Sequence, residues 1–317
     1  MDATSRCLLD MTKLHNVFFI VGPTATGKSE LAAEVARELN AEIVSADAFQ
    51  IYRGLDLLSA KPDAATLAKV PHHLIGSISI LHEMNVDKFR KLASNAITEI
   101  HSRGKLAIVV GGSGLYIKSL THGLSALPST DPDLRTQLNE LSLVDLQKKL
   151  RKLDPKTAID LKNRRRLIRA IEICVLSGKT ASEQRSDWQR DVASQGVFVF
   201  RERDDLYERI NCRVEKMFNE GVIEEVRAAG AMSDTASKMI GLREIRDLLE
   251  GAADAGSTAQ CVAAIQQATR RYAKRQLTWF RRQTNFQSLN LSELNHVQAV
   301  ERISQFAKMS EVMPGND

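Results

Sequence analysis

Residues 17–29 read Val17-Phe18-Phe19-Ile20-Val21-Gly22-Pro23-Thr24-Ala25-Thr26-Gly27-Lys28-Ser29. Five consecutive apolar residues stopped by Gly22 and Pro23 have the character of a strand buried on both faces of a parallel sheet. Beyond Ser29, Leu31, Val35 and Leu39 recur every four residues and leave Glu30, Glu34 and Arg37 to the other side, which predicts an amphipathic helix ending near Asn40. A strand before and a helix after are the setting in which G-x-x-x-x-G-K-[ST], matched by residues 22–29, is a phosphate-binding loop and not merely a glycine-rich turn. The glycines let the backbone curl so that several N–H groups face one point, and the helix N-terminus adds positive potential. Lys28 supplies a charge and the Ser29 hydroxyl a ligand for Mg²⁺. Gly22, Pro23, Thr24, Ala25, Thr26, Gly27, Lys28 and Ser29 are therefore the candidate diphosphate-binding residues.

Working outward, Glu42-Ile43-Val44-Ser45-Ala46 predicts a second strand ending at Asp47, and Leu106-Ala107-Ile108-Val109-Val110 a third ending at Gly111-Gly112. Strands alternating with helices imply an α/β fold with a doubly wound parallel sheet, of the kind built around phosphate-loop NTPases. From residue 122 to 196 the pattern becomes helical with clustered bases, an all-helical insertion. Strand character returns at Val197-Phe198-Val199-Phe200. A single long helix is expected from Asp204 to Ala229, another from Cys261 to Arg282, and a short extended segment from Phe286 to Leu291. The predicted organisation is a catalytic core at 14–121 and 197–300, a helical domain at 122–196, and a C-terminal tail at 301–317 whose final dozen residues fray.

Composition narrows the class. The 317 residues are 43% hydrophobic and 26% charged, enough for a sizeable core and about two domains. The net charge of +5 is mild, so clustering matters more than the sum. The longest apolar runs fall far short of the ~20 residues that span a bilayer. Without a basic stretch leading into an apolar one near Met1, the expectation is a cytoplasmic protein. Cys7, Cys174, Cys212 and Cys261 lie too far apart for a zinc cage or a disulfide framework.

The phosphate loop does not name the reaction, because NTPases, kinases and group transferases all hold phosphates this way. Asp47 is the one carboxylate well placed at a strand's carboxyl end, where such sheets bind ligands. By residue type alone it serves equally as a metal-supporting acid, a general base or the cap of a following turn.

Several segments in one order carry a resemblance: GPTATGKS at 22–29, SADAFQIYRGLD at 45–56, SAKP at 59–62, PHHLI at 71–75, GGSGLYIKSL at 111–120, NRRRLIRAIEI at 163–173 and ATRRYAKRQLTWFRRQ at 268–283. From about Val17 to Arg282 the sequence resembles the tRNA dimethylallyltransferase family, the isopentenyl transferases of bacterial and mitochondrial type. The resemblance implies transfer of a dimethylallyl group from dimethylallyl diphosphate to N6 of the adenosine 3′ to the anticodon, position 37, with no nucleoside triphosphate consumed. It implies Asp47 as the catalytic base, Thr24 and Arg213 as catalytic contacts to the diphosphate, and Ser113 and Arg135 as contacts to tRNA, with Asp47, Ala48, Phe49 and Gln50 also on the RNA side.

This chemistry suits the residues. The loop, Lys28 and a Ser29-bound Mg²⁺ would stabilise charge growing on departing pyrophosphate. A carboxylate that accepts the proton of a poorly nucleophilic adenine amine would help the new C–N bond form. Lys162 to Arg169 packs five positive charges into eight positions, and Arg165, Arg166, Leu167, Ile168 and Arg169 are assigned to tRNA, the anticodon stem being gripped by the insertion. A second basic cluster, Arg270, Arg271, Lys274, Arg275, Arg281 and Arg282, lies in a helical segment without Asp or Glu, where Trp279 and Phe280 are assigned to packing. The target base must leave its stack to reach Asp47. Three rivals remain: an adenylate isopentenyltransferase acting on free AMP or ATP, a small-molecule kinase sharing the loop, and a non-enzymatic RNA-binding protein. No membrane and no obligate protein partner are expected, and the chain is taken as a monomer.

Overall fold

The computed structural model describes residues 17–124, 127–186, 195–251, 257–283 and 285–311, which fall into two compact units, Met1–Leu120 with Ala193–Asp317, and Thr121–Val192. The first unit holds a six-stranded sheet in the order β3-β2-β4-β1-β5-β6, every pairing parallel. Its strands are β1 (Val17–Val21), β2 (Glu42–Ser45), β3 (His72–His73), β4 (Ala107–Gly111), β5 (Gln195–Phe200) and β6 (Gln287–Asn290). β1 is central, in register with β4 from Val17↔Ala107 to Val21↔Gly111, so the phosphate loop leaves the middle of the sheet.

Side chains alternate across the sheet as strand geometry requires. Phe19, Val21, Val44, Val109 and Phe198 enter the core on one face, and Phe18, Ile20, Ile43, Ile108 and Val197 that on the other. The second face is covered by α1 (Lys28–Glu38) through Leu31 and Val35, and the first by α3 (Val86–Ser102) through Phe89 and Ile97. A four-residue turn of helix, α2 (Ala64–Leu67), precedes β3, and α4 (Gly114–Thr121) follows β4. Thus the sheet is doubly wound, as its alternating pattern implied.

Two expectations are corrected and one strand is added. The segment Asp204 to Ala229 is not one helix: it breaks into α9 (Arg203–Asn219) and α10 (Val222–Ala228) at Gly221, whose φ of 96° lies in the left-handed region that ends a helix. β3 lies in the PHHLI segment, two residues too short to show a strand period. The tail drawn from residue 301 is instead most of α13 (His296–Glu311), whose Ile303 and Ala307 are buried on the second face of the sheet. Before it come α11 (Leu242–Leu249) and α12 (Thr258–Gln283), both packed on the first face.

At the amino ends of the strands, opposite the phosphate loop, the buried carboxylate of Glu42 meets Arg103 at 2.7 Å, His73 at 2.8 Å and Lys105 at 3.2 Å. These partners, Arg103 foremost, hold it down to about 2 against the upward push of burial.

The second unit is helical: α5 (Pro132–Glu140), α6 (Leu143–Leu153), α7 (Arg164–Ser177) and α8 (Ala181–Ser186). Asp131, Ser142 and Asn163 cap the first three through side-chain oxygens. Leu138, Leu146, Leu150, Leu167, Ile168 and Ile171 build its core. Leu167 and Ile168 are therefore removed from the RNA-contacting set: at 0% and 6% exposure their side chains close the core. Among the described residues no helix is long and apolar enough to cross a membrane.

Candidate active site

The phosphate loop's shape follows from its residues. A Cβ on Gly22 would stand 2.2 Å from the Val199 carbonyl oxygen, so only glycine lets β1 turn there beside β5. Gly27 caps α1 at φ 89°, and Ala25 is held at φ 65°, a left-handed conformation that is costly for a residue with a side chain. The loop is braced from outside. Arg209 Nε donates to the Ala25 carbonyl at 3.0 Å, Arg201 Nε to that of Thr26 at 2.9 Å, and Thr26 Oγ1 to that of Pro23 at 3.0 Å. With these carbonyls engaged, the loop keeps its curl.

Lys28 donates to the Pro23 carbonyl at 3.1 Å. Burial lowers its ammonium to about 8, with Asp47 raising it and Arg213 lowering it. Arg213 projects from α9. Burial brings its guanidinium down to about 10, opposed by attraction to Asp47, and its Nε is buried with no hydrogen-bond partner among the described residues. A buried donor left unmatched costs roughly 1–3 kcal/mol. An anion between Arg213 and Lys28 would satisfy it.

Asp47 follows β2. Its Oδ1 accepts from the N–H groups of Phe49 at 2.9 Å and Gln50 at 3.2 Å, so the turn-capping role is real. Both bonds fall on one oxygen, and Oδ2 takes none among the described residues. One carboxylate can thus hold its turn and still accept a proton. Ala48 N–H donates to Ser113 Oγ at 3.0 Å, so Ser113 fastens the turn that carries Asp47. Gln50 is similarly engaged, donating through Nε2 to the Ala60 carbonyl at 2.9 Å, and Ala48 and Phe49 pack against the first-face core.

A cleft of about 490 Å³ opens in front of these groups, lined by Lys28, Ser29, Asp47, Arg209, Arg213 and Lys216 among others. Beside it lies a recess whose apolar walls are Leu58, Val214, Met217, Met239, Ile240 and Ile265, with Ser59, Thr269 and Tyr272 contributing polar groups. Thr24, Asp47 and Arg213 line both spaces. Sequence reasoning missed the recess, whose walls come from loops and helices far apart in the chain. It also missed Gln276 on α12, which accepts from the Thr24 N–H at 2.9 Å and donates to the Gly112 carbonyl at 2.8 Å. The N–H of Thr24 is thereby withdrawn from the anion cradle.

Among the described residues no group of three or more His, Cys, Asp or Glu is placed to hold a metal. The cleft's oxygen donors that could share in holding a divalent cation are the Ser29 hydroxyl and the Asp47 carboxylate, both on its wall.

The basic segments divide. On α7, Arg164 donates to the carbonyls of Asn139 and Leu141, and Arg169 to that of Pro128. Arg135 pairs in bidentate fashion, at 2.7 Å on each side, with Glu172, which is fully buried and also meets Arg169. Arg135 and Arg169 thus neutralise a core carboxylate, a role with its own structural rationale. Arg165 and Arg166 are exposed and make no ion pair among the described residues. On α12, Arg270 is tied to Asn211 and lies over the Tyr207 ring, whereas Arg271, Lys274 and Arg282 are exposed. Phe280 is buried against Phe198, and the Trp279 ring occupies the space a side chain on Gly114 would need.

Comparison with known proteins gives the family. A profile described as IPP transferase matches residues 50–283. The chain is 44% identical over 282 residues to a tRNA dimethylallyltransferase of Citrifermentans bemidjiense, covering 86% of this chain and 90% of the relative. It is 40% identical over 290 residues to that of Akkermansia muciniphila, covering 90% and 98%. A crystal structure of the full-length tRNA isopentenylpyrophosphate transferase of Bacillus halodurans superposes with a TM-score of 0.69 at 35% identity, over 93% of this chain and 96% of that one. Matched by that profile over most of its length and by relatives at 44% and 40% identity, this chain belongs to the IPP transferase family.

Proposed function

We propose that this enzyme transfers a dimethylallyl group from dimethylallyl diphosphate to the N6 amine of the adenosine 3′ to the anticodon of tRNA, releasing pyrophosphate. The observation that carries this reading is the junction of an anion cradle with a small apolar recess at Asp47. A substrate with a diphosphate at one end and a short branched hydrocarbon at the other fills both, and a phosphoryl-transferring kinase has no use for the recess.

The chemistry follows from the placement. The loop amides, Lys28 and Arg213 bind the diphosphate, and the electron pair of the breaking allylic C–O bond goes to the pyrophosphate oxygen they face. The carbon released from oxygen bonds to the adenine nitrogen. Asp47 takes the proton that this nitrogen sheds, through the oxygen its turn leaves unbonded. Mg²⁺ at Ser29 supplies further positive charge against the leaving group when bound.

The rest of the assignment rests on charge. Arg165 and Arg166 of the helical unit face the phosphates of the anticodon stem, and Arg271, Lys274 and Arg282 of α12 meet RNA from the first unit. Arg135 and Arg169 reach RNA only with the donors that Glu172 leaves over. A free adenine nucleotide needs none of these cations, which favours tRNA as acceptor. The enzyme works in the cytoplasm as a monomer with no obligate protein partner.

The test is incubation with labelled dimethylallyl diphosphate, Mg²⁺ and either anticodon stem-loop RNA or AMP. Label on the adenine amine of the RNA alone is expected. Label on AMP, or only in hydrolysed alcohol, would contradict the reading.

A further inference from the structure

Gln276 spans two loops that the sheet's active edge leaves apart. Thr24 lies beyond the end of β1 and Gly112 beyond the end of β4. The side chain is 6% exposed and joins them through both ends of its amide, Oε1 accepting from Thr24 N–H at 2.9 Å and Nε2 donating to the Gly112 carbonyl at 2.8 Å. The neighbouring sequence makes room for it, because a Cβ on Gly112 would stand 2.4 Å from Nε2. One turn earlier on α12, Tyr272 lines the recess close to Ser113 and to Gln276 itself, and the Ser113 Oγ accepts from Ala48 beside Asp47. A single helix therefore ties the anion loop with one residue and lines the recess beside Asp47 with another.

We propose that Gln276 is a positioning residue for the diphosphate: by anchoring the Thr24 amide it holds the Thr24 side chain on the cleft and sets the distance from the anion cradle to Asp47. Only a neutral amide meets both demands. A carboxylate of the same shape accepts from Thr24 but faces the Gly112 carbonyl with no proton to donate, and it sets a negative charge behind a loop that binds an anion. A thioether of similar length keeps the packing and loses both bonds. This inference rests on the loop's holding a diphosphate, and the wild-type protein's own affinity for pyrophosphate tests that premise separately.

The experiment compares wild type, Q276M, Q276E, T24A and the T24A/Q276M double variant. It follows thermal unfolding, binding of inorganic pyrophosphate with Mg²⁺, stem-loop RNA affinity, and kcat and KM for each substrate. The wild type binds pyrophosphate. Q276M weakens that binding about tenfold, the scale of losing two hydrogen bonds, and Q276E weakens it further. RNA affinity stays at the wild-type level in both. Because Gln276 acts through Thr24, the double variant binds pyrophosphate no worse than the weaker single variant. If Q276M does not fold, Q276E carries the same comparison. Pyrophosphate affinity unchanged in the Gln276 variants, equal losses for pyrophosphate and RNA, or additive losses in the double variant would overturn the proposal. A wild type that fails to bind pyrophosphate removes its premise.

Discussion

Arg213 and Asp47 attract one another across the cleft yet form no ion pair among the described residues, and the guanidinium Nε is buried without a partner. Opposite charges free to move on an open surface would pair; here Arg213 sits on α9 and Asp47 on the turn after β2, on the walls of one cleft. Under the proposed reaction, the space between them takes the anionic leaving group and the proton-bearing nucleophile. Replacing Arg213 by Gln should lower kcat/KM for the allylic diphosphate about 10²–10³-fold, the scale of removing one preorganised donor to developing negative charge. Lys should restore little, since its ammonium lacks the forked donor geometry. Steady-state pyrophosphate release measures both.

Asp47→Asn keeps an oxygen to accept from Phe49 and Gln50 and loses the proton acceptor. Stem-loop RNA affinity should stay near wild type while single-turnover prenyl transfer falls about 10²–10⁴-fold. Equal losses in binding and rate would mean that the carboxylate only shapes its turn.

The recess should gate the hydrocarbon. Ile265→Phe, which adds volume to its wall, should raise KM for dimethylallyl diphosphate while inorganic pyrophosphate binds as before. Met239→Ala should admit a ten-carbon allylic diphosphate that the wild type turns over poorly. Competition between the two diphosphates reads the change directly, and unaltered selectivity in both variants would place the hydrocarbon elsewhere.

Much of this site was legible in sequence because its parts are local. Residues 17–39 contain the strand, the loop and the helix that make a phosphate site, and the φ of 89° at Gly27 is the torsion such a loop needs. Asp47 was placable at a strand end, but its division of labour between two oxygens is a matter of three dimensions. The recess is built from Leu58, Met217, Met239 and Ile265, each an unremarked apolar residue until the fold gathers them. Gln276 was hidden among arginines. The basic run misled where a buried acid claimed its members: Glu172 is one carboxylate on α7, and only the packing of α5 and α7 shows that it takes Arg135 and Arg169. Ile303 and Ala307, four residues apart, carried the periodicity of α13 that a terminal position obscured.

Arg165 and Arg166 are exposed on α7 without ion-pair partners among the described residues, so charge reversal there should weaken RNA binding and leave pyrophosphate affinity intact. If each neutralises one phosphate, the double substitution to Gln lowers the slope of log K against log salt by about 1.5–2. The same substitution at Arg135 should cost stability as well, because Glu172 is left buried and unpaired. Salt titrations with thermal unfolding separate the two behaviours.

Glu42 governs acid stability at the far end of the sheet. Its folded value, about 2, lies below that of the unfolded chain, so its contribution is full above the ordinary carboxylate range and declines as pH falls toward about 2. Glu42→Gln should lower stability by about 1–3 kcal/mol at neutral pH and flatten the loss between pH 5 and about 2. Denaturant midpoints across that range provide the check.

The most direct measurement is a crystal structure with Mg²⁺ and an unreactive thiolo analogue of dimethylallyl diphosphate. The account predicts the diphosphate against residues 22–29 and Arg213, the five-carbon tail between Met217, Met239 and Ile265, and the tail's first carbon open toward Asp47. A tail outside the recess, or a first carbon shielded from Asp47 by protein, would contradict it.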